Sequence, residues 1–252
     1  MVEKHLVDSR ALAQRLIMEG KVRVNDQVIL KPSHGVQGTE VVTLEADPRF
    51  VSRGGEKLEG AFEAFQPNVA GMVCADVGAS TGGFTDCLLQ HGSVKVYAID
   101  VGYGILHWKM RSDKRVVVME RQNARFIEKL PEPVDFVTID ASFISLDKLL
   151  PVIRGWYGEK GGQLLALIKP QFEAGRQEVN RGGGVISDPQ VHRRVVLETL
   201  EMAQVNGYSI LGLAVSPLKG PKGNIEFLMH LGYPKQRDVE ISTMVDGVCR
   251  LD

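Results

Sequence analysis

The sequence has little cysteine. There are three in 252 residues, and Cys74, Cys87 and Cys249 form no CxxC pair. That count and spacing give no disulfide framework and no legible metal site. Cys74 lies in an apolar run and Cys87 in a predicted helix, which suits packing rather than reactivity. Sparse unpaired thiols fit a reducing compartment, so the cytoplasm is the expected location. Long apolar stretches are also missing. No run approaches the roughly 18 residues of a membrane-spanning helix. Met1 to Leu12 holds no apolar core between a basic end and a small-residue cleavage site, which argues against a signal peptide. Net charge is scarce as well, at −1, so a nucleic-acid role must rest on local basic patches.

What is present falls into two textures. In residues 1–48, Asp8 or Ser9 can cap a helix running to about Glu19, and Gly20 can end it. Leu12, Leu16 and Ile17 give that helix one apolar face. The stretch 21–24 alternates like a half-buried strand, Asn25-Asp26 can turn, and 28–30 returns. Residues 32–38 read as loop and 41–44 as a further strand. Pro48 and the pair Gly54-Gly55 mark a linker over 49–55, followed by a helix over 56–65. Beyond about residue 70, strands are expected at 72–77, 94–99, 115–119, 134–140, 163–169, 208–215 and 224–230. Helices are expected at 82–91, 104–111, 145–157 and 189–206. This rhythm predicts an α/β domain over 56–235, with a parallel sheet covered by helices on both faces. Residues 236–252 carry no motif.

The first strand of that sheet runs into Asp76-Val77-Gly78-Ala79-Ser80-Thr81-Gly82-Gly83-Phe84, which opens a helix. Glycines there let the backbone approach a ligand closely, and in such sheets ligands bind at the carboxyl ends of the strands. A nucleoside triphosphate loop would need Lys-Ser or Lys-Thr where Phe84 stands. A dinucleotide loop would need glycine where Ser80 stands. S-adenosylmethionine has no phosphate and tolerates that serine. Asp100, ending the next strand, can accept hydrogen bonds from both ribose hydroxyls of a nucleoside. The stretch Gly78-Ala79-Ser80-Thr81-Gly82 also matches a hydrolase nucleophile elbow, with His192 and His230 downstream as candidate bases. That elbow, however, normally follows several earlier strands.

Charged residues at the ends of apolar strands complete the pattern. They are Asp140 and Lys169, joined by Glu226 inside the strand expected at 224–230 and by Lys57 just past the linker. Buried charges are costly unless paired, so such a set is either a structural ion-pair cluster or a site. A Lys-Asp-Lys-Glu set suits methyl transfer to a ribose hydroxyl, a weak nucleophile that must lose its proton. Lys169, if neutral, could take that proton. Alternatively, cationic lysines could hold the hydroxyl in line with the methyl group.

These motifs carry a resemblance. Residues 52–58, 76–84, 98–104, 138–146, 168–173 and 223–226 are similar to the FtsJ/RrmJ class of ribose 2′-O-methyltransferases. Across nearly all of residues 8–232 the chain resembles the TlyA family within that class, some of whose members carry the name hemolysin. The resemblance implies a Rossmann-like sheet of seven strands with the last antiparallel. It also implies S-adenosyl-L-methionine as cofactor and a cytidine ribose in ribosomal RNA as substrate. It puts catalysis on Lys57, Asp140, Lys169 and Glu226. It puts the cofactor on Asp76, Gly78, Ser80, Thr81, Gly82, Gly83, Phe84, Asp100, Val101 and Asp140, with Gln122 and Asn123 beside the adenine. Arg49 to Ser52 matches a family element that couples RNA binding to cofactor binding. Ile105 stands where the family pattern has glutamine.

Residues 1–48 resemble the small αL-type RNA-binding domain of a ribosomal protein and of pseudouridine synthases. Met1 falls inside or after that domain's first helix, so a shortened domain is expected. Its phosphate contacts would be Arg10, Arg15, Lys21, Arg23 and Lys31, joined by Arg53, Arg176 and Arg181 further on. Six Lys/Arg against seven Asp/Glu in residues 1–48 do not by themselves mark a nucleic-acid face. Residues 173–188 are expected to be a mobile loop that orders on RNA. Two other function classes compete with the methyltransferase: a membrane-active hemolysin, which would need an apolar insertion segment, and an RNA-binding module that keeps only the fold.

Overall fold

Ser9 starts the first helix. In extended backbone, its hydroxyl accepts from the Leu12 N–H at 3.2 Å, and α1 spans Arg10–Met18. The chain then forms β1 (Val22–Val24), β2 (Gln27–Val28) and β3 (Val42–Leu44), an antiparallel sheet in the order β2-β1-β3. Asn25 and Asp26 both adopt positive φ, at 48° and 66°. That is the tight turn their side chains tolerate. The strand expected at 28–30 is shorter and earlier than its apolar residues suggested, because this turn sets the pairing register. Val7, Ala13, Val22 and Val24 are buried here.

The computed structural model describes residues 1–45, 48–236 and 239–249. It divides the chain into two units, Met1–Arg49 and Phe50–Asp252. The expected linker over 49–55 is therefore largely part of the second unit. Phe50 is buried in a core cluster with Leu58, Ala61 and Phe62, and the Val51 N–H donates to Asp86 at 2.9 Å. A Cβ on Gly55 would run into the Phe50 ring, so glycine there lets α2 (Gly54–Phe65) start early and close against it.

The second unit contains β4 (Val73–Val77), β5 (Lys95–Ile99), β6 (Val116–Met119), β7 (Phe136–Ile139), β8 (Gly162–Ile168), β9 (Ser209–Val215) and β10 (Phe227–Tyr233). They form one sheet in the order β6-β5-β4-β7-β8-β10-β9, and only β10 runs antiparallel to its neighbours. Alternate residues feed opposite faces, as a strand requires. Leu165 and Leu167 pack with α2 and α3 (Gly83–Gln90), while Leu164, Ala166 and Ile168 pack on the other face with α8 (Pro189–Val205).

Several expected elements change. The helix expected at 104–111 is α4, only Trp108–Ser112. It starts late because Gly104 has φ 73° and the His107 ring accepts from the Lys109 N–H. The helix expected at 145–157 breaks into short pieces around α5 (Leu150–Ile153), with Pro151 in its first turn and Gly155 just beyond it. The loop at 173–188 follows α6 (Pro170–Glu173) and contains α7 (Arg176–Arg181). It is anchored where Asn224 donates to the Gly184 carbonyl and accepts from the Ile186 N–H. Residues 239–249 of the unassigned tail contribute α9 (Ile241–Val248), which buries Ile241 and Val245 in the core.

Candidate active site

Four parallel strands end at one edge of the sheet, and each releases a polar residue or loop there. Val77 leads to Gly78, Ile99 to Asp100, Ile139 to Asp140 and Ile168 to Lys169. Because β10 is antiparallel, its beginning lies at the same edge, and Phe227 pairs with Ile168. Glu226 therefore arrives beside Lys169 from the opposite chain direction. It immediately precedes β10, not inside a strand as expected, and Gly220 leaves room for its carboxylate, since a Cβ there would stand 2.6 Å from Oε1.

The four charged residues form two ion pairs. Lys57 Nζ donates to Glu226 Oε2 at 2.5 Å, and Lys169 Nζ meets Asp140 Oδ1 at 2.5 Å. Lys169 also reaches the Asp140 carbonyl and the Ser142 hydroxyl, at 3.3 and 3.2 Å. Glu226 is 1% exposed and Lys169 6%. Burying charged groups this deeply is costly without such partners. Gln171 adds a hydrogen bond of 3.4 Å from its amide to Glu226, while its own buried carbonyl has no protein partner.

Two cavities meet at Gly78, Ser80 and Asp140. The larger, about 560 Å³, runs past Asp100, Ile105, Gln122 and Asn123; the smaller, about 260 Å³, lies against Lys57, Arg53 and Phe84. The backbone geometry between them is demanding. Gly78 has φ 83°, and a Cβ on it would stand 2.8 Å from the Asp140 carbonyl. Ser80 adopts φ 49° and donates its N–H to Asp100 Oδ2 at 2.8 Å, while Asp100 Oδ1 accepts from the Gly102 N–H at 2.7 Å. Two backbone donors thus fix the Asp100 carboxylate at the cavity wall. Val101 lines the larger cavity, and Thr81, Gly83 and Phe84 line the smaller.

Two expected cofactor residues lie elsewhere. Asp76 is fully buried, accepts from Thr85 at 2.6 Å and Thr138 at 3.2 Å, and lines neither cavity. Its role is to tie β4 to α3 and β7. Gly82, at φ 96°, packs against Met110 and Leu106 instead. The hydrolase alternative finds no support: His192 Nε2 is 2.9 Å from the Ile186 carbonyl and His230 Nε2 is 2.8 Å from the Gln163 side chain.

Sequence reasoning missed Ser142, Gln171 and an aromatic group. Phe143 is 91% exposed, holds φ 63° and packs its ring 5.0 Å from that of Phe172. Arg121 lies 4.0 Å over the Tyr103 ring, and Arg125, which lines the larger cavity, lies 5.1 Å over Phe126. Exposed rings stacked with guanidiniums were the available signal, but their spacing in sequence is irregular. Of the residues expected to meet RNA, Arg10, Lys31 and Arg53 are exposed. Arg15 and Lys21 face Glu19 at 3.9 and 3.3 Å, and Arg23 faces Glu45 at 3.5 Å. Such surface pairs are worth at most about 1 kcal/mol, and a phosphate can displace them. The side chains of Arg176 and Arg181 lie outside the described residues.

The FtsJ-like methyltransferase model matches residues 50–233, and the S4 domain model matches residues 1–42. The 16S/23S rRNA (cytidine-2′-O)-methyltransferase TlyA of Mycobacterium tuberculosis is 44% identical over 254 residues, covering 99% of this chain and 94% of that protein. The chain belongs to the TlyA branch of the FtsJ-like methyltransferase family. A solved structure of a hemolysin-named protein from Streptococcus thermophilus has a TM-score of 0.77 at 40% identity, covering 97% of this chain and 90% of that one. An S-adenosylmethionine-dependent methyltransferase from Mesorhizobium loti shares the family's fold. Its TM-score is 0.54 at 15% identity, covering 72% of this chain and all of that one, which is 100%. Among the described residues, no helix is long and apolar enough to cross a membrane.

Proposed function

We propose that this chain is a cytoplasmic enzyme that transfers a methyl group from S-adenosyl-L-methionine to the ribose 2′-hydroxyl of a cytidine in ribosomal RNA. The carrying observation is the pair of buried lysine–carboxylate contacts at the sheet edge, beside a groove of nucleoside size. The TlyA relative's activity and the S4 match over residues 1–42 support the substrate class.

The residues present fit the cofactor. Gly78 presents bare backbone where the two cavities meet, Asp100 is oriented to accept two hydroxyl hydrogen bonds, and Ile105 and Leu149 supply apolar wall. Gln122 and Asn123 lie along the same wall for the base. When bound, S-adenosylmethionine supplies a methyl group on a cationic sulfur, open to attack by an oxygen nucleophile. Asp140 borders both cavities and carries Lys169, so it lies where groove and acceptor side meet. In their ion pairs both lysines act first as positioned cations that orient the hydroxyl. Lys169 can take the hydroxyl proton only after handing its own to Asp140, 2.5 Å away. Phe143, Tyr103 and Phe126 offer exposed ring faces to nucleotides around the groove.

Lys169 is a better probe than Lys57. Removing Lys57 strands a carboxylate that is 1% exposed, whereas Asp140 keeps 22% of its side-chain surface in water. We expect Lys169→Ala to bind S-adenosylmethionine within about threefold of wild type and to lose about 10²–10⁴ in transfer of labelled methyl to unmodified ribosomal subunits. Label in a base, or transfer unchanged by the substitution, would overturn the proposal. A wild-type protein that does not bind S-adenosylmethionine would overturn the cofactor assignment itself.

A further inference from the structure

The helix pair behind the groove carries a second group of reactive side chains. Cys87 and His91 lie four residues apart at the end of α3, so they share one face. Glu59, on α2, reaches both: its Oε2 is 2.8 Å from His91 Nε2 and 3.6 Å from Cys87 Sγ. All three ligand atoms lie within 4.8 Å of one another, and among the described residues this is the one such group of three. The Phe62 ring stacks on His91 at 3.9 Å with an 18° tilt, fixing the imidazole plane.

We propose that Glu59, Cys87 and His91 form a binding site for a zinc-type divalent cation. The residue types are zinc's usual ligands: a thiolate, an imidazole nitrogen and a carboxylate oxygen. Ligand atoms around a tetrahedral zinc stand about 3.4–3.6 Å apart, from bond lengths of about 2.0–2.3 Å. The Cys87–Glu59 distance of 3.6 Å already matches. The His91–Glu59 contact, at 2.8 Å, has to open by roughly half an ångström, while Cys87 and His91 start within 4.8 Å of each other. Glu59 and His91 keep 16% and 29% of their side-chain surface exposed, which leaves a way in and a fourth position for water. Binding requires the Cys87 thiol to lose its proton to solvent, so uptake of one ion releases at least that proton. The ion would join α2, which carries Lys57, to α3, which the Gly78–Phe84 loop opens, and so brace the two helices that frame the smaller cavity.

The test uses the full chain and zinc alone, titrated by calorimetry in two buffers of different ionisation enthalpy, with cobalt(II) as a spectroscopic substitute. The expected result is one saturable equivalent with proton release and a rise in Tm. Affinity should fall at least tenfold in His91→Gln and in Cys87→Ser. Cobalt should give a sulfur-to-metal charge-transfer absorption in wild type that disappears in Cys87→Ser. Three results would overturn the proposal: no saturable binding, binding undiminished in His91→Gln, or a wild-type cobalt spectrum without thiolate character. The wild-type spectrum and the His91 variant decide the matter even if the buried Cys87 substitution unfolds the protein.

Discussion

Asp76 has no surface in water, and its two oxygens accept from the hydroxyls of Thr85 and Thr138. Burial pushes its carboxyl up to about 7 from 3.8, and the two threonine hydrogen bonds hold it back only in part. The folded value is above the unfolded one, so the folded state holds a proton that the unfolded chain has lost. The resulting stabilisation is full below about pH 4, declines as pH rises, and is gone above about pH 7. Its size is of order 4 kcal/mol. His230 slopes the other way, because burial lowers it to about 4 and its contribution is lost as pH falls. The difference between wild type and Asp76→Asn therefore isolates Asp76. We expect the variant to gain on wild type steadily from pH 5 to pH 7.5 in urea unfolding, and parallel curves would refute the buried carboxyl. The sequence marked Asp76 for its place in a motif, but only the strand pairing shows that its side chain points between β4 and α3 rather than into the groove.

At the scale of elements, β4 and β7 end in a closely packed junction beside the groove. Gly78 has φ 83°, and a Cβ would stand 2.8 Å from the Asp140 carbonyl and 3.1 Å from the Ala141 Cα. Gly78→Ala combines backbone strain with a clash against main chain that cannot rotate away. A cost of about 1–3 kcal/mol in urea stability follows, together with at least a tenfold loss of S-adenosylmethionine affinity by calorimetry. A variant with native affinity would show that the loop does not approach the ligand. The strands and the charges ending them were legible because an Asp or Lys closing an apolar run has few explanations. The broken helix around Pro151 was not, since Ser145–Tyr157 keeps helical apolar spacing while its backbone is interrupted. Nor was the Glu59–Cys87–His91 group. The Cys87–His91 spacing is visible in the sequence, but its third member comes from another helix 28 residues earlier.

The whole molecule joins two units with separate hydrophobic interiors. Val7, Ala13, Val22 and Val24 are buried in the first, while both large core clusters of the second draw only on residues from Phe50 onward. The division near residue 49 could be read from Pro48 and the paired glycines. An RNA-contacting face could not, because acidic residues balance the basic ones and Glu19 and Glu45 face three of the five proposed contacts. If the first unit grips RNA through phosphates, it adds affinity for the substrate. A chain starting at Phe50 keeps every residue lining both cavities. It should therefore unfold with the same midpoint as the second unit of the full protein and bind S-adenosylmethionine within about threefold. Transfer to ribosomal subunits should drop at least tenfold, and the remaining activity should fall less steeply with added salt, because fewer phosphate contacts remain to be screened. Equal transfer by the two chains would place RNA recognition wholly in the methyltransferase unit, on the exposed rings and guanidiniums beside its groove.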